Sequence, residues 1–148
     1  MKLIKRLLVV MALLPIHLVA NASGTDQFLF SDAWVKMPMP GMQMSAGYVD
    51  IKNKSINDIK VIAVRTPFSK MAELHDMVMV NKVMQMRHVS DGWVIAAGTS
   101  LSLAPGGKHV MLMGVRTLES NQLETILEFN IEGLGWVSVP TVLKASMP

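Results

Sequence analysis

The chain consists of short segments of β character separated by turn residues, and this pattern restricts the fold more than any other feature of the sequence. Branched and aromatic residues dominate these segments, and glycine, proline, asparagine or aspartate marks the breaks between them. The segments are 28–36, 48–52, 60–65, 72–80, 83–89, 92–96, 100–103, 109–116, 123–130 and 136–144. A long amphipathic helix is absent from the sequence pattern, and a short helix is expected only near Thr117 to Leu123. The spacing predicts an all-β domain, an antiparallel sandwich or barrel of seven to nine strands.

The first part of the chain has the organisation of a secretory signal peptide. The basic start Lys2 to Arg6 precedes the apolar run Leu7 to Ala20, and Ala20-Asn21-Ala22 forms a small-x-small cleavage pattern. The apolar run is shorter than the roughly 20 residues that a membrane-spanning helix needs. We therefore expect residues 1–22 to be a cleaved signal peptide and residues 23–148 to be a single domain. This implies export to the periplasm without stable membrane insertion.

The basic charge of the chain belongs to this leader. The formal net charge is +3, and three of the 14 lysines and arginines lie in the leader, so that 11 basic residues face 11 acidic ones in the remainder. No basic patch is visible that would favour nucleic acid as a partner.

Cysteine is absent, and this excludes several functions. An exported domain without cysteine has no disulfide, and it cannot form the thiolate ligand that a blue-copper electron carrier needs. No Ser-His-Asp pattern or nucleophile elbow is visible. A copper monooxygenase of the N-terminal-histidine type needs histidine at the start of the mature chain, where Ser23 is expected. We therefore predict a binding protein and not an enzyme.

Methionine is unusually frequent, and its position relative to histidine indicates a metal site. The chain has 14 methionines, of which 12 follow the leader. His109 and Met111 are two residues apart in a predicted strand and so point to the same face. A two-residue turn at Asn81-Lys82 would place His75 opposite His88 and Met77 opposite Met86, which makes His75 and Met86 diagonal neighbours. If the two strand pairs meet, the set His75, Met86, His109 and Met111 can converge on one ion.

The ligand types in this set select the metal. Thioether sulfur is soft and imidazole is borderline, a combination that favours Cu(I) over Mg²⁺ or Ca²⁺. Zinc sites normally use cysteine, histidine and carboxylate. We therefore expect one copper ion, bound as Cu(I), with Cu(II) left open as a second oxidation state.

The same residues carry a resemblance to a known family. The chain resembles the PCu(A)C-type periplasmic copper chaperones, whose signature H-x10-M-x21/22-H-x-M is met by His75, Met86, His109 and Met111. Further matching words are Ala33-Trp34, Ala46-Gly47-Tyr48, Glu73-Leu74-His75, Val83 to Arg87 and Leu103 to Met113. The resemblance extends from about Ala33 to Val142.

The resemblance implies a fold and a role. The expected fold is a cupredoxin-like (immunoglobulin-like) β-barrel that lacks the blue-copper cysteine. The expected role is delivery of copper to an acceptor protein, either the copper subunit of cytochrome c oxidase or a Sco-type protein. Copper buffering for resistance is the alternative, because it would use the same ligands.

Several neighbouring residues have open roles. The methionine-rich stretch Met37 to Met44 departs from the family pattern, and it is either an apolar loop over or beneath the barrel mouth or a secondary Cu(I) contact. His88 is a rival ligand, more suited to Cu(II). Glu73 and Asp76 are expected to be solvated strand residues, and Met113 is expected to belong to the core. Met77, Met79 and Met84 are expected in the core or in the wall of the site, and for Met77 and Met84 a sulfur next to the ligands is the alternative.

Overall fold

The computed structural model describes residues 27–116 and 122–145, and these ranges form an all-β domain. Its strands are β1 (Phe28–Lys36), β2 (Met44–Asn53), β3 (Ile59–Arg65), β4 (Ser69–Val80), β5 (Val83–His88), β6 (Trp93–Ile95), β7 (Ser100–Leu103), β8 (His109–Val115), β9 (Glu124–Ile131) and β10 (Gly135–Lys144). No helix within these ranges is long and apolar enough to cross a membrane.

The strands form one ten-stranded sheet with the order β5-β4-β8-β2-β1-β10-β9-β3-β6, and β7 pairs with β2. In the described part of the chain the pairs are antiparallel, except that β1 and β10 run parallel, with Trp34 opposite Val142. Strands β4 and β8 are therefore neighbours, with β5 beyond β4 at the edge of the sheet.

The sequence pattern predicted the fold class correctly and some details wrongly. The described ranges contain ten strands, one more than the predicted seven to nine, and the parallel β1–β10 pair departs from a purely antiparallel arrangement. Strand β2 begins at Met44, before the predicted start at Tyr48. The predicted signal peptide, residues 1–22, lies outside the described residues, as do residues 117–121 of the segment where a short helix was expected.

The core fixes which face of each strand remains available for a site. Leu74 of β4 and Val110 and Leu112 of β8 are buried in the main hydrophobic cluster. Because side chains alternate between the two faces of a strand, His75, His109 and Met111 lie on the opposite, outer face. Burying one such leucine or valine side chain contributes about 1.5–3 kcal/mol, so the core holds this register firmly.

A buried asparagine at the end of β2 forms hydrogen bonds to the loop after β2 and to β6. Asn53 is fully buried at the end of β2, and its Nδ2 donates to the carbonyl oxygens of Asn57, at 2.8 Å, and Ile95, at 3.0 Å. Its Oδ1 accepts from the backbone N–H of Ser55 at 2.9 Å. These bonds satisfy a polar group that would otherwise be costly to bury.

Candidate metal centre

The β4–β5 hairpin has the turn and the register that the sequence predicts. Asn81 and Lys82 both have positive φ, 50° and 66°, which is the conformation of a two-residue type I′ turn. This turn places His75 opposite His88 and Met77 opposite Met86. The hairpin therefore presents two imidazoles and two thioethers in two cross-strand pairs on the same face.

Strand β8 brings a third histidine to the same row. His75 is directly opposite His109 in the antiparallel β4–β8 pair. The ring centroids of His75 and His109 are 5.7 Å apart, as are those of His75 and His88. The condition that the two strand pairs meet is thus fulfilled, because β4 is shared by both pairs.

The methionines of the predicted set lie around a cavity beside this row. The cavity has a volume of about 360 Å³. Met86, His109 and Met111 line it, together with Met77 from the hairpin. Its remaining lining residues are Lys36, Met37, Pro38, Met39, Met42, Met44, Ser45, Ala46, Tyr48 and Gly106. The structure therefore places three of the four predicted ligands on one cavity, with His75 next to His109.

His109 is held in one tautomer by the turn that precedes it. The turn closes through hydrogen bonds from Ala104 N to Lys108 O, at 2.9 Å, and from Gly107 N to Ala104 O, at 3.0 Å. His109 Nδ1 lies 2.9 Å from the carbonyl oxygen of Gly107. Since a carbonyl oxygen can only accept, Nδ1 carries the proton. The lone pair of the neutral ring is then on Nε2, where it can bind a metal.

His75 has the opposite arrangement. Its Nε2 lies 2.9 Å from a carboxylate oxygen of Glu73. An ionised carboxylate only accepts hydrogen bonds, so Nε2 carries the proton and the lone pair is on Nδ1. Nδ1 is buried and has no hydrogen-bond partner among the residues that the structure describes. A buried nitrogen without a partner is unfavourable unless a ligand satisfies it.

Glu73 and Asp76 are not simply solvated, which corrects the expectation from sequence. Glu73 accepts the hydrogen bond from His75, and its side chain is only 29% exposed. Asp76 forms an ion pair with Lys108 and accepts a hydrogen bond from the backbone N–H of Met77 at 2.8 Å. The Asp76–Lys108 ion pair connects β4 to the turn before β8. Spacing could have revealed the Glu73 contact, because residues i and i+2 share a strand face.

The methionine-rich stretch, which we call the methionine loop (Met37 to Met44), borders the same cavity. Met37 N donates to Lys144 O at 2.7 Å, and Val115 N donates to Gln43 O at 3.0 Å, so backbone hydrogen bonds hold both ends of the loop. Met39 and Met42 are mostly exposed and line the cavity. The loop thus lies over the outer face of the sheet, beside the predicted ligands.

Other methionines lie differently from the sequence expectation. Met113 is partly exposed on the outer face and does not belong to the hydrophobic core, where it was expected. Met79 and Met84 are opposite each other in the hairpin and are exposed. Met77 is part of the cavity wall, in agreement with the expectation.

The chemistry of the cavity is soft and carries little negative charge. Within residues 27–116 and 122–145, no group of three or more His, Cys, Asp or Glu side chains could hold a metal ion. Burial raises the pKa of the Tyr48 phenol, which therefore stays protonated on the cavity wall. The soft donors on the cavity wall are methionine sulfur and the imidazole of His109.

Comparison with known proteins identifies relatives of this chain. The LpqE-like family model matches residues 29–142. A protein of Leifsonia xyli subsp. xyli (strain CTCB07), named "Putative lipoprotein Lxx21020", is 34% identical over 131 residues, which cover 84% of this chain and 78% of that protein.

Solved structures show the same fold. The copper-bound PCuAC domain from PmoF2 is 17% identical, with a TM-score of 0.65, over 81% of this chain and 94% of that domain. Apo-DR1885 from Deinococcus radiodurans is 20% identical, with a TM-score of 0.64, over 99% of this chain and 98% of its own. CuI-DR1885 is 24% identical, with a TM-score of 0.54, over 86% and 87% of the two chains. These likenesses confirm the cupredoxin-like fold. The family match and the Leifsonia relative show that the chain belongs to the LpqE-like family, which is of the PCuAC type.

Proposed function

We propose that this protein is a copper chaperone that binds one Cu(I) through His75, Met86, His109 and Met111 and passes it to an acceptor protein. The observation that carries the proposal is the pair of neighbouring imidazoles, each with one nitrogen free to bind a metal. His75 offers Nδ1, which is buried without a partner, and His109 offers Nε2. Met86 and Met111 add two thioethers at the adjoining cavity.

The donor set favours Cu(I) over other biological metals. Two neutral thioethers and two neutral imidazoles suit a soft monovalent ion, whereas zinc favours thiolate, imidazole and carboxylate ligands. The glutamate nearest to the site, Glu73, is engaged with His75 Nε2. A hydrogen bond of this kind orients a ligating histidine and raises its basicity.

The relatives support copper as the cargo. Two of the solved structures that share this fold are named as copper-bound or Cu(I) forms, the PCuAC domain from PmoF2 and DR1885. The His-x10-Met-x22-His-x-Met spacing of this chain supplies two imidazoles and two thioethers, which suit the same ion. The copper named for these relatives and the fold that they share with this chain therefore both agree with its donor chemistry.

The position of the site suits transfer. The cavity lies on the outer face of the sheet, and Met86 belongs to the edge strand β5 and is 49% exposed. Acceptor ligands can therefore reach the ion before all donor ligands have left it. An acceptor with cysteine thiolates binds Cu(I) more tightly than neutral thioethers and imidazoles do, so exchange runs toward the acceptor. We propose that the acceptor is the copper subunit of cytochrome c oxidase or a Sco-type protein.

The protein acts outside the cytoplasm in this proposal. The basic and apolar leader of residues 1–22 and the lipoprotein name of the Leifsonia relative both favour export. Intact mass spectrometry of protein from the periplasm should give a chain that begins at Ser23. A chain that retains Met1 to Ala22 would contradict cleavage at this site.

Competition with a chromogenic Cu(I) chelator under anaerobic conditions tests the ligand set. The variants His75→Ala, Met86→Ala, His109→Ala and Met111→Ala should each weaken Cu(I) binding at least about tenfold, because each removes one of four donors. His88→Ala and Met42→Ala serve as matched controls and should change the affinity little. The ligand assignment would be wrong if His88→Ala weakened binding as much as His75→Ala.

Copper buffering for resistance remains the alternative function, since it needs the same site without a specific acceptor. Deletion of the gene separates the two functions. Delivery predicts lower oxidase activity under copper limitation and recovery when copper is added. Normal oxidase assembly combined with increased copper sensitivity would favour buffering.

A further inference from the structure

Three methionines from different strands form a row on the outer face of the sheet, separate from the proposed ligands. Met113 of β8 is directly opposite Met71 of β4 on one side and Met44 of β2 on the other. Side chains directly opposite each other on neighbouring strands have Cβ atoms about 4.5–5.5 Å apart. The flexible thioether arms of this methionine row (Met44, Met71 and Met113) can therefore bring three sulfur atoms to one point.

The alternation of buried and exposed residues confirms that the row shares one face. The intervening residues Ala72 and Leu112 pack with the core, and Ser45 is buried. Met44 and Met71 are 50% and 54% exposed. Core packing thus does not explain why methionine occupies these two positions.

The methionine row adjoins the proposed Cu(I) site of His75, Met86, His109 and Met111, which we call the His–Met site. Met113 follows Met111 by two residues on the same face of β8, a separation of about 6.5–7 Å between Cα atoms. Met44 and Met111 line the same cavity, and Met42 of the methionine loop lines it as well. An ion on the row would therefore lie one step along the strand from the proposed ligand Met111, beside the part of the cavity that Met44 lines.

We propose that Met44, Met71 and Met113 form a second, all-thioether site for a soft monovalent cation, Cu(I) or Ag(I). Three neutral thioethers discriminate against Zn²⁺ and Cu(II), which favour nitrogen, oxygen or thiolate ligands. The second site holds its ion without imidazole, and it binds more weakly than the His–Met site for that reason. It supplies a first contact for an ion that enters or leaves the cavity. This site stands on the strand register and does not require the His–Met site to be correct.

The alternative interpretation of these three methionines is that they form an apolar surface for contact with another protein. Methionine also serves as an adaptable apolar side chain at protein contacts. Leucine has a similar volume and apolar character but no sulfur, so it preserves a packing role and removes a metal-binding role. Substitution by leucine therefore separates the two interpretations.

The experiment is a titration of the mature protein with Ag⁺ in chloride-free buffer, followed by calorimetry and by NMR of ¹³C-labelled methionine methyl groups. The wild type should bind two Ag⁺, with shifts of the Met44, Met71 and Met113 methyl signals in the weaker step. The single change Met113→Leu should weaken that step at least about tenfold, because it removes the central sulfur. Zn²⁺ should leave the three methyl signals unchanged. The matched control is Met79→Leu with Met84→Leu, an exposed cross-strand methionine pair outside the row, and it should leave the stoichiometry at two.

A second variant distinguishes failure of this site from failure of the His–Met site. The double change His75→Ala with His109→Ala should abolish the tighter step and retain the weaker one at the row. If the wild type binds one Ag⁺ and the double variant binds none, the second site is refuted while the first stands. If the triple change of the row to leucine still binds two Ag⁺, the assignment to these three residues is wrong. Thermal unfolding followed by circular dichroism should show that every variant remains folded.

Discussion

Replacing Glu73 with alanine removes the carboxylate that accepts a hydrogen bond from His75 Nε2. In the proposed site this bond keeps the proton on Nε2 and leaves Nδ1 to bind Cu(I). The two side chains are only 13% and 29% exposed, so water does not readily replace the lost acceptor. Loss of such an orienting partner typically weakens metal binding about 10–100-fold, or about 1.4–2.7 kcal/mol. We expect Glu73→Ala to fall in this range.

Glu73→Gln gives an intermediate test, since its amide oxygen can still accept but carries no charge. Hydrogen bonds to charged groups are about twice as strong as neutral ones, so we expect a loss of roughly threefold to tenfold. The assay is anaerobic competition with a Cu(I) chelator, and Glu132→Ala, an exposed carboxylate after β9, is the control. If Glu73→Ala instead tightened Cu(I) binding, the carboxylate would compete with the metal for Nε2, and the assignment of Nδ1 would be refuted.

Three further predictions concern pH and stability. Acidification should release Cu(I), because a ligating imidazole must be neutral; a chelator titration at several pH values checks this, and constant affinity would exclude histidine ligands. In a denaturant titration, Gly92→Ala should lower the free energy of unfolding by more than about 2 kcal/mol, since φ is +77° and a Cβ would lie 2.2 Å from Val61 O. Gly98→Ala, at φ +71° with open space around the Cβ, should cost only about 1 kcal/mol. The guanidinium of Arg65 lowers the pKa of Glu128, so the folded state binds this proton less readily than the unfolded state. The small stabilisation present above the ordinary Glu range, about pH 4.3, should therefore be lost as the pH falls below it, and Glu128→Gln should remove that part of the pH dependence in thermal melts.

Local sequence was sufficient to predict the β4–β5 hairpin. A two-residue turn at Asn81-Lys82 permits one register, and that register sets His75 opposite His88. The pairing of His75 with His109 could not be derived in the same way. It depends on β4 and β8 being neighbours in the sheet, which the packing of Leu74, Val110 and Leu112 into the common core decides.

Other features also depended on long-range packing. Sequence did not predict that β1 pairs in parallel with β10, because the two strands are far apart in the chain. The location of the methionine loop over the outer face follows from backbone hydrogen bonds to Lys144 and Val115, which no local pattern encodes. Met113 was expected in the core because methionine is apolar and because Met113 shares a strand face with Met111.

The edge position of β5 has a consequence for motion. Within the described part of the sheet β5 pairs with β4 alone, and its residues, Met86 included, are exposed. Such a strand can detach by local opening while the core of β8, β9 and β10 stays intact. In the proposed site an ion would tie the edge strand to β8, so that loading would raise the free energy of local opening. Amide hydrogen exchange in the hairpin would then slow on loading, and the speed with which this strand detaches would limit how fast the ion can leave.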